Sequence, residues 1–230
     1  MSVSNNIQII RDIITENEKK YGRALHTVNL LAASKAQSVE KIIEAYEAGQ
    51  RLFGENYLQE ALLKIKALAS YDIEWHFIGH VQSNKTRKIA ENFSWVQSVS
   101  SANIAKRLHD QRPLNLPALN VCLEVNIDEE ALKSGIAAKE VFALSEYCQS
   151  LSRIKLRGLM AIPAPRNNMD DQRAVFHQIK QLFDSLNEKG FGLDTLSLGM
   201  TEDMEAAIAE GSTMVRVGRG IFGERIDKLF

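Results

Sequence analysis

A lysine closes an apolar run near the start of the chain, in the stretch LAASK at residues 31–35. The run has the small and branched residues of a buried strand, and Lys35 ends it with a primary amine. Such an amine is either a surface cap or a reactive group, because a lysine in a pocket can condense with a carbonyl compound. The position that the surrounding strands and helices give to Lys35 distinguishes these two interpretations.

Two glycine-containing stretches near the other end of the chain suggest an anion site. SLGMT (197–201) places Thr201 where it would cap a helix, and VGRGIFG (217–223) lets the backbone approach a ligand. Together they suggest a phosphate cradle, with tight turns as the alternative interpretation. A cradle opposite the amine of Lys35 would suit a phosphorylated carbonyl compound held as a Schiff base.

Other motifs give weaker evidence for a function. Gly218–Gly223 fits G-x-G-x-x-G, but a dinucleotide site needs an acidic residue about 20 positions later, and the sequence stops at Phe230. The five histidines lack metal-ligand spacing, and His80 is expected at the surface or in support of a site. The serines at 34 and 100 lack the G-x-S-x-G context of a serine hydrolase.

The composition is that of an ordinary globular protein. The 230 residues are 45% hydrophobic and 25% charged, with a formal net charge of -1. This balance gives no electrostatic case for binding nucleic acid or a membrane. Cys122 and Cys148 form no CxxC pair, and the N-terminal segment lacks a signal-peptide pattern. We therefore expect a cytoplasmic protein with reduced thiols.

The chain alternates apolar runs with segments of helical periodicity. After a helix at about 5–20, eight candidate strands follow, at 28–34, 51–55, 74–79, 95–100, 118–126, 156–162, 195–200 and 214–218. Strand–helix alternation allows an open doubly wound sheet or a closed (β/α)8 TIM barrel. Eight units with short connections favour the barrel, as a single domain over 1–230 with the barrel at about 28–223. In a barrel, Lys35 lies at the mouth, where chemistry gathers.

The motifs resemble those of the pyridoxal phosphate homeostasis proteins, the YggS/PROSC family that binds pyridoxal 5′-phosphate (PLP). The matching stretches run from near Val28 to Phe222: AASK, FGENYLQE, WHFIGHVQSNK, LEVNI, KSGI, LRGLMAI, SLGMTEDMEAAIAEGSTMVRVG and IFG. The resemblance implies a monomeric barrel of the alanine racemase N-terminal type (PLP fold type III), with PLP bound to Lys35 as an aldimine.

The resemblance also implies roles for nine further residues. Asn56 and Ile78 would line the cofactor ring, with Met160 and Met200 near it. Arg216 would face the pyridine nitrogen. The phosphate would be surrounded, mainly by backbone N–H groups, at Ser197, Thr201, Gly218 and Arg219.

Two stretches depart from the family pattern. Ala36-Gln37 follows Lys35 where the family usually has a second lysine soon after, so a relay amine is missing. GRGIFG replaces the common GTAIFG, which puts Arg219 in place of a small hydroxyl residue. Arg219 either adds a charge-assisted contact to the phosphate or points away.

The functional hypothesis is a PLP carrier for intracellular PLP homeostasis, without catalysis, that passes PLP transiently to apoenzymes. A guanidinium at the ring nitrogen disfavours its protonation and restrains carbanion chemistry. A racemase also needs a second base, for which no residues are left over; Tyr57, the nearest phenol, is expected to pack the second helix. The alternatives are a weak amino-acid racemase or other PLP enzyme, and a phosphate-binding barrel isomerase without PLP. Lys133 and Lys228 are weaker candidates for a second PLP site.

Overall fold

The computed structural model describes residues 2–130 and 134–223. Its eight parallel strands pair in chain order, and the last pairs with the first to close a barrel. The strands are β1 Asn29–Ala33, β2 Leu52–Glu55, β3 Glu74–Phe77, β4 Trp95–Val99, β5 Leu119–Glu124, β6 Ile154–Met160, β7 Thr195–Ser197 and β8 Met214–Val217. The predicted (β/α)8 barrel is confirmed, and the open sheet is excluded because β1 pairs with both β2 and β8.

Helices surround the barrel and follow the strands as predicted. They are α1 Val3–Lys20, α2 Val39–Glu47, α3 Leu58–Ala67, α4 Thr86–Asn92, α5 Ala102–Gln111, α6 Val141–Gln149, α7 Met169–Glu188, α8 Met204–Ala209 and α9 Arg219–Phe222. Single 3-10 turns at Ser83–Lys85 and Ala138–Glu140 precede α4 and α6. Within the described ranges, no helix has the length and apolar character needed to cross a membrane.

Short polar side chains set where several helices begin. Ser38, Ser101 and Asn168 each accept a backbone N–H from the first turn of the helix that follows, which satisfies one donor that the helix leaves unpaired. The connections from barrel to helix are therefore short and fixed. In β1 this fixes the distance between the strand end at Ala33 and the start of α2.

The helix after β7 begins later than predicted. Thr201 is not its N-cap, because a turn at residues 201–203 comes first and α8 starts at Met204 with Asp203 at the cap position. The carboxylate of Asp203 accepts the backbone N–H of Met200 at 2.5 Å, which holds this turn closed. The helix α9 directly after β8 was not predicted.

The barrel interior contains a chain of buried polar side chains. Arg216 donates to the hydroxyl of Ser197 at 2.7 Å, which donates to Gln97 at 2.7 Å. The Gln97 amide lies 2.9 Å from Nδ1 of His76, and Nε2 of His76 lies 3.0 Å from Glu74 at the entry of β3. Burial lowers the pKa of His76, so its ring stays neutral. Each member has a partner, as a buried polar chain requires.

Candidate functional site

A cavity of about 260 Å³ opens at the C-terminal ends of the strands; we call it the mouth cavity. It is lined by eight of the ten predicted site residues: Lys35, Asn56, Ile78, Met200, Thr201, Arg216, Gly218 and Arg219. They come from the ends of β1, β2, β3, β7 and β8, which lie far apart in sequence. The closed barrel brings them together because all its strands point the same way.

Lys35 stands in a tight turn directly after β1. The N–H of Gln37 donates to the carbonyl of Ser34 at 3.1 Å across this turn. Ala36 has a φ of 57°, in the left-handed region that residues other than glycine rarely adopt. Lys35 itself is half-buried and lines the mouth cavity. The turn therefore holds its amine at the edge of this cavity.

Asn56 follows β2 and reaches the same cavity. Its Oδ1 atom is buried and accepts no hydrogen bond from the described residues. A buried amide oxygen without a donor is costly, so this atom is available to a ligand that carries a hydroxyl or N–H group. The backbones at Asn56 and Gly79 approach each other closely, since a Cβ atom on Gly79 would lie 2.1 Å from the Asn56 carbonyl oxygen.

Arg216 lies at the end of β8 and lines the cavity from below. Its Nη1 donates to the carbonyl oxygen of Ser197 at 2.6 Å and to the hydroxyl at 2.7 Å, and its Nη2 donates to the carbonyl of Ala161 at 2.9 Å. Burial lowers the pKa of Arg216 to about 10, so the guanidinium remains charged at neutral pH. Three short bonds to neighbouring strands fix its plane.

Two predicted residues lie below the cavity and do not line it. Ser197 is fully buried and its hydroxyl is used by Arg216 and Gln97. Met160 is also fully buried and packs with Trp95 and Cys122 inside the barrel. These residues support the cavity floor.

The loops after β7 and β8 form one side of the mouth cavity. Met200, Thr201, Gly218 and Arg219 line it there. A Cβ atom on Gly218 would lie 3.2 Å from the carbonyl oxygen of Ala33, so glycine keeps the end of β8 close to the end of β1. The guanidinium of Arg219 donates to Glu202 at 2.8 Å, and both side chains are mostly exposed.

One wall of the cavity was not expected from the sequence. Arg166 and the prolines beside it, in the loop between β6 and α7, also line the mouth cavity. Arg166 pairs with Asp128 at 2.5 Å, and Asp128 also accepts the N–H of Ala164 at 2.7 Å. The segment PAPRNN follows the strand predicted at 156–162, and nothing in its local sequence pattern indicated that it would line the cavity.

Other candidates lie away from the cavity or outside the described residues. Tyr57 is 58% exposed, and its packing against the second helix stays a prediction. His80 is exposed, as expected, and lies 3.1 Å from the hydroxyl of Ser134. Lys133 and Lys228 lie outside the residues that the structure describes. Within the described part of the chain, no group of His, Cys, Asp and Glu could hold a metal ion.

The closed barrel with its mouth cavity defines a class of protein: it is a (β/α)8 barrel of the alanine racemase N-terminal type, PLP fold type III. Residues 9–226 match the family described as alanine racemase, N-terminal domain. The pyridoxal phosphate homeostasis protein of Pseudomonas aeruginosa is 50% identical over 224 residues, which are 97% of this chain and 96% of that protein. The chain belongs to the family of pyridoxal phosphate homeostasis proteins.

Solved structures agree with this assignment. A protein described as unknown from Bifidobacterium adolescentis superposes with a TM-score of 0.88 at 33% identity, covering 96% of this chain and 94% of the other. PipY of Synechococcus elongatus, solved with PLP bound, superposes with a TM-score of 0.76 at 35% identity, covering 91% of this chain and 100% of the other. The family resemblance stated from the sequence is confirmed.

Proposed function

We propose that this chain binds PLP reversibly at Lys35 and serves in intracellular PLP homeostasis. The observation that carries the proposal is the meeting of Lys35, Asn56 and Arg216 in one cavity at the barrel mouth. The name of the Pseudomonas relative and the PLP in the PipY structure support it.

The residues of the mouth cavity fit PLP. The buried Oδ1 of Asn56 has no donor within the described part of the chain, and a hydroxyl on the cofactor ring would supply one. Ile78 and Met200 offer apolar surface for a ring, and Met160 would support it from below. For the phosphate we assign Thr201, Gly218 and Arg219. Ser197 instead holds Arg216 in place.

Bound PLP would supply an aldehyde, with which the amine of Lys35 condenses reversibly with loss of one water. Lys35 provides the nucleophilic nitrogen at the cavity edge. Arg216 presents a fixed positive charge, and a cation facing a ring nitrogen disfavours a proton on that nitrogen. The chain's own residues thus hold the cofactor while restraining its use as an electron sink.

We infer that the protein holds PLP without turning over a substrate. Arg216 is the main support, since its three bonds to the barrel leave it little freedom to leave the ring nitrogen. Tyr57, the phenol considered as a second base, is mostly exposed and does not line the mouth cavity. A weak racemase remains the competing function that the experiment below tests.

The wider role follows from the same proposal. We expect a cytoplasmic monomer with a single PLP-binding domain over residues 1–230, which releases PLP to PLP-dependent apoenzymes in transient encounters. Reversible condensation at a cavity open to solvent suits storage and release better than permanent retention.

Proton exchange tests the proposed function against the racemase alternative. The PLP-loaded protein would be incubated with amino acids in deuterated water, with an amino-acid racemase as positive control, and exchange at the α-carbon followed by NMR. The proposal expects PLP binding, seen as a visible absorption band, without exchange above the rate for free PLP. Sustained exchange that Lys35→Ala abolishes would establish an enzyme instead.

A further inference from the structure

A buried cluster of charges lies directly behind the turn that carries Lys35. It consists of Glu55 at the end of β2 and of Glu60 and Lys64 on α3; we call it the carboxylate–lysine cluster. All three side chains are at most 6% exposed. The Nζ of Lys64 donates to Glu55 at 2.8 Å, to Glu60, and to the carbonyl of Ser34 at 2.8 Å. An ammonium group has three donors, and all three are used.

The cluster holds both chain neighbours of Lys35. On one side, the carbonyl of Ser34 accepts from Lys64, and the hydroxyl of Ser34 donates to Glu55 at 2.6 Å. On the other side, the N–H of Ala36 donates to Oε1 of Glu60 at 2.7 Å. Lys35 is therefore suspended between two backbone points that are both tied to the same cluster.

These contacts explain how the turn keeps an unfavourable backbone. Ala36 has a φ of 57°, which residues with a Cβ atom adopt at a cost of about 1–2 kcal/mol. Such a conformation persists where its surroundings over-determine it. The hydrogen bond from Ala36 to Glu60 and the bond from Gln37 to Ser34 supply that constraint.

A contribution to stability does not by itself explain why these charged groups are buried. Burying two carboxylates and one ammonium carries a desolvation penalty that well-packed apolar residues would avoid. Burial raises the pKa of Glu55 despite the neighbouring Lys64, and one oxygen of Glu55 is buried without a partner among the residues that the structure describes. The cluster instead fixes the position of the backbone on each side of Lys35.

We propose that Glu55, Glu60 and Lys64 are positioning residues that aim the amine of Lys35 at the aldehyde of PLP. This role rests on the proposed function, because it concerns the same lysine. It also assigns Lys64 a structural part: the three donors of its ammonium group are used within the cluster, so it does not carry PLP itself.

Glu60 is the member to change, because a glutamine provides a matched rescue. Oε1 of Glu60 accepts both bonds, from Ala36 and from Lys64, and an amide oxygen can accept the same two. Glu60→Ala removes this acceptor and both bonds, Glu60→Gln keeps it, and Gln59→Ala changes an exposed neighbour on the same helix. Folding of each variant would be checked by circular dichroism.

Affinities for two ligands distinguish positioning of the Lys35 amine from general support of the cavity. PLP carries the aldehyde, whereas pyridoxine 5′-phosphate carries an alcohol in its place and cannot condense with Lys35. We expect Glu60→Ala to weaken PLP binding at least about tenfold, because the turn loses the acceptor that holds Ala36. Pyridoxine 5′-phosphate binding should change less than about twofold, and Glu60→Gln and Gln59→Ala should bind PLP like the wild type.

Two results with Glu60→Ala would overturn the proposal. One is unchanged PLP affinity in Glu60→Ala; another is an equal loss of affinity for both ligands, which would indicate collapse of the whole cavity. If Glu60→Ala does not fold, Glu60→Asp carries the same test, since its shorter side chain draws the carboxylate away from Ala36. Failure of the wild-type chain to bind PLP would overturn the proposed function, and the positioning role with it.

Discussion

The carbonyl oxygen of Asn56 lies 2.1 Å from the point where a Cβ atom on Gly79 would stand. The backbones that follow β2 and β3 therefore touch at the rim of the mouth cavity. Any side chain at position 79 must push the Asn56 backbone away. This contact fixes the position from which the Asn56 amide enters the cavity.

Gly79→Ala tests this contact. We expect the free energy of unfolding in urea to fall by about 2–3 kcal/mol, because the added methyl group overlaps backbone atoms that cannot move aside without strain. PLP affinity should fall as well, since Asn56 is displaced.

Gly190→Ala is the matched control. Position 190 has a φ of 84° and no atom within 4 Å of an added Cβ, so it tests backbone strain alone, at about 1–2 kcal/mol and without loss of PLP affinity. Equal behaviour of the two variants in both measurements would show that the contact between positions 56 and 79 has no functional role.

Glu124 should make stability depend on pH. Burial raises the pKa of this carboxyl from 4.5 to about 7, although Arg216 opposes the shift. The folded state therefore favours the protonated form, so the stabilising contribution is present below about pH 4.5 and is lost as the pH rises through about 7. At pH 8 the folded protein carries the full cost of a buried carboxylate.

Glu124→Gln removes that cost. At pH 8 we expect the variant to unfold at a higher urea concentration than the wild type, with a free energy of unfolding larger by up to about 3 kcal/mol. This difference should vanish toward pH 4.5. Glu47→Gln, at an exposed glutamate of α2, should show no such pH-dependent gain. A Glu124→Gln variant that is less stable than the wild type at pH 8 would disprove this account of the carboxyl.

Arg219 separates binding from stability. Its ion pair with Glu202 is mostly exposed, and exposed pairs contribute about 0–1 kcal/mol, so Arg219→Ala should leave the urea midpoint nearly unchanged. If Arg219 binds the phosphate, the same variant should bind PLP more weakly, most clearly at low salt. Isothermal titration at two salt concentrations measures this; unchanged affinity at both would mean that Arg219 serves only Glu202.

The sequence predicted the barrel because its parallel strands are covered on both faces and appear as short apolar runs. The rule that barrel chemistry gathers at the strand ends then placed Lys35 at the mouth, and Lys35 lines the mouth cavity. Both steps use only local pattern and topology. They therefore needed no knowledge of which side chains touch.

The sequence did not predict how deeply a side chain is buried or which residues far apart in the chain contact each other. Ser197 ends β7, yet its side chain points into the barrel and lies under Arg216 instead of in the cavity. The link from Ser197 to Gln97 joins residues 100 positions apart, and the pairing of Arg166 with Asp128 depends on how two loops fold back. Such contacts follow from the three-dimensional register of the barrel, which no single segment encodes.

The most direct test of the central claim is to locate the lysine that carries PLP. Reduction of the PLP-loaded protein with borohydride fixes the linkage, and peptide mass spectrometry identifies the modified residue. The account predicts label on Lys35, loss of that label in Lys35→Ala, and no label on Lys64 or on the exposed Lys66 of the same helix. An unmodified Lys35, with the label at Lys133, Lys228 or any other lysine, would contradict it.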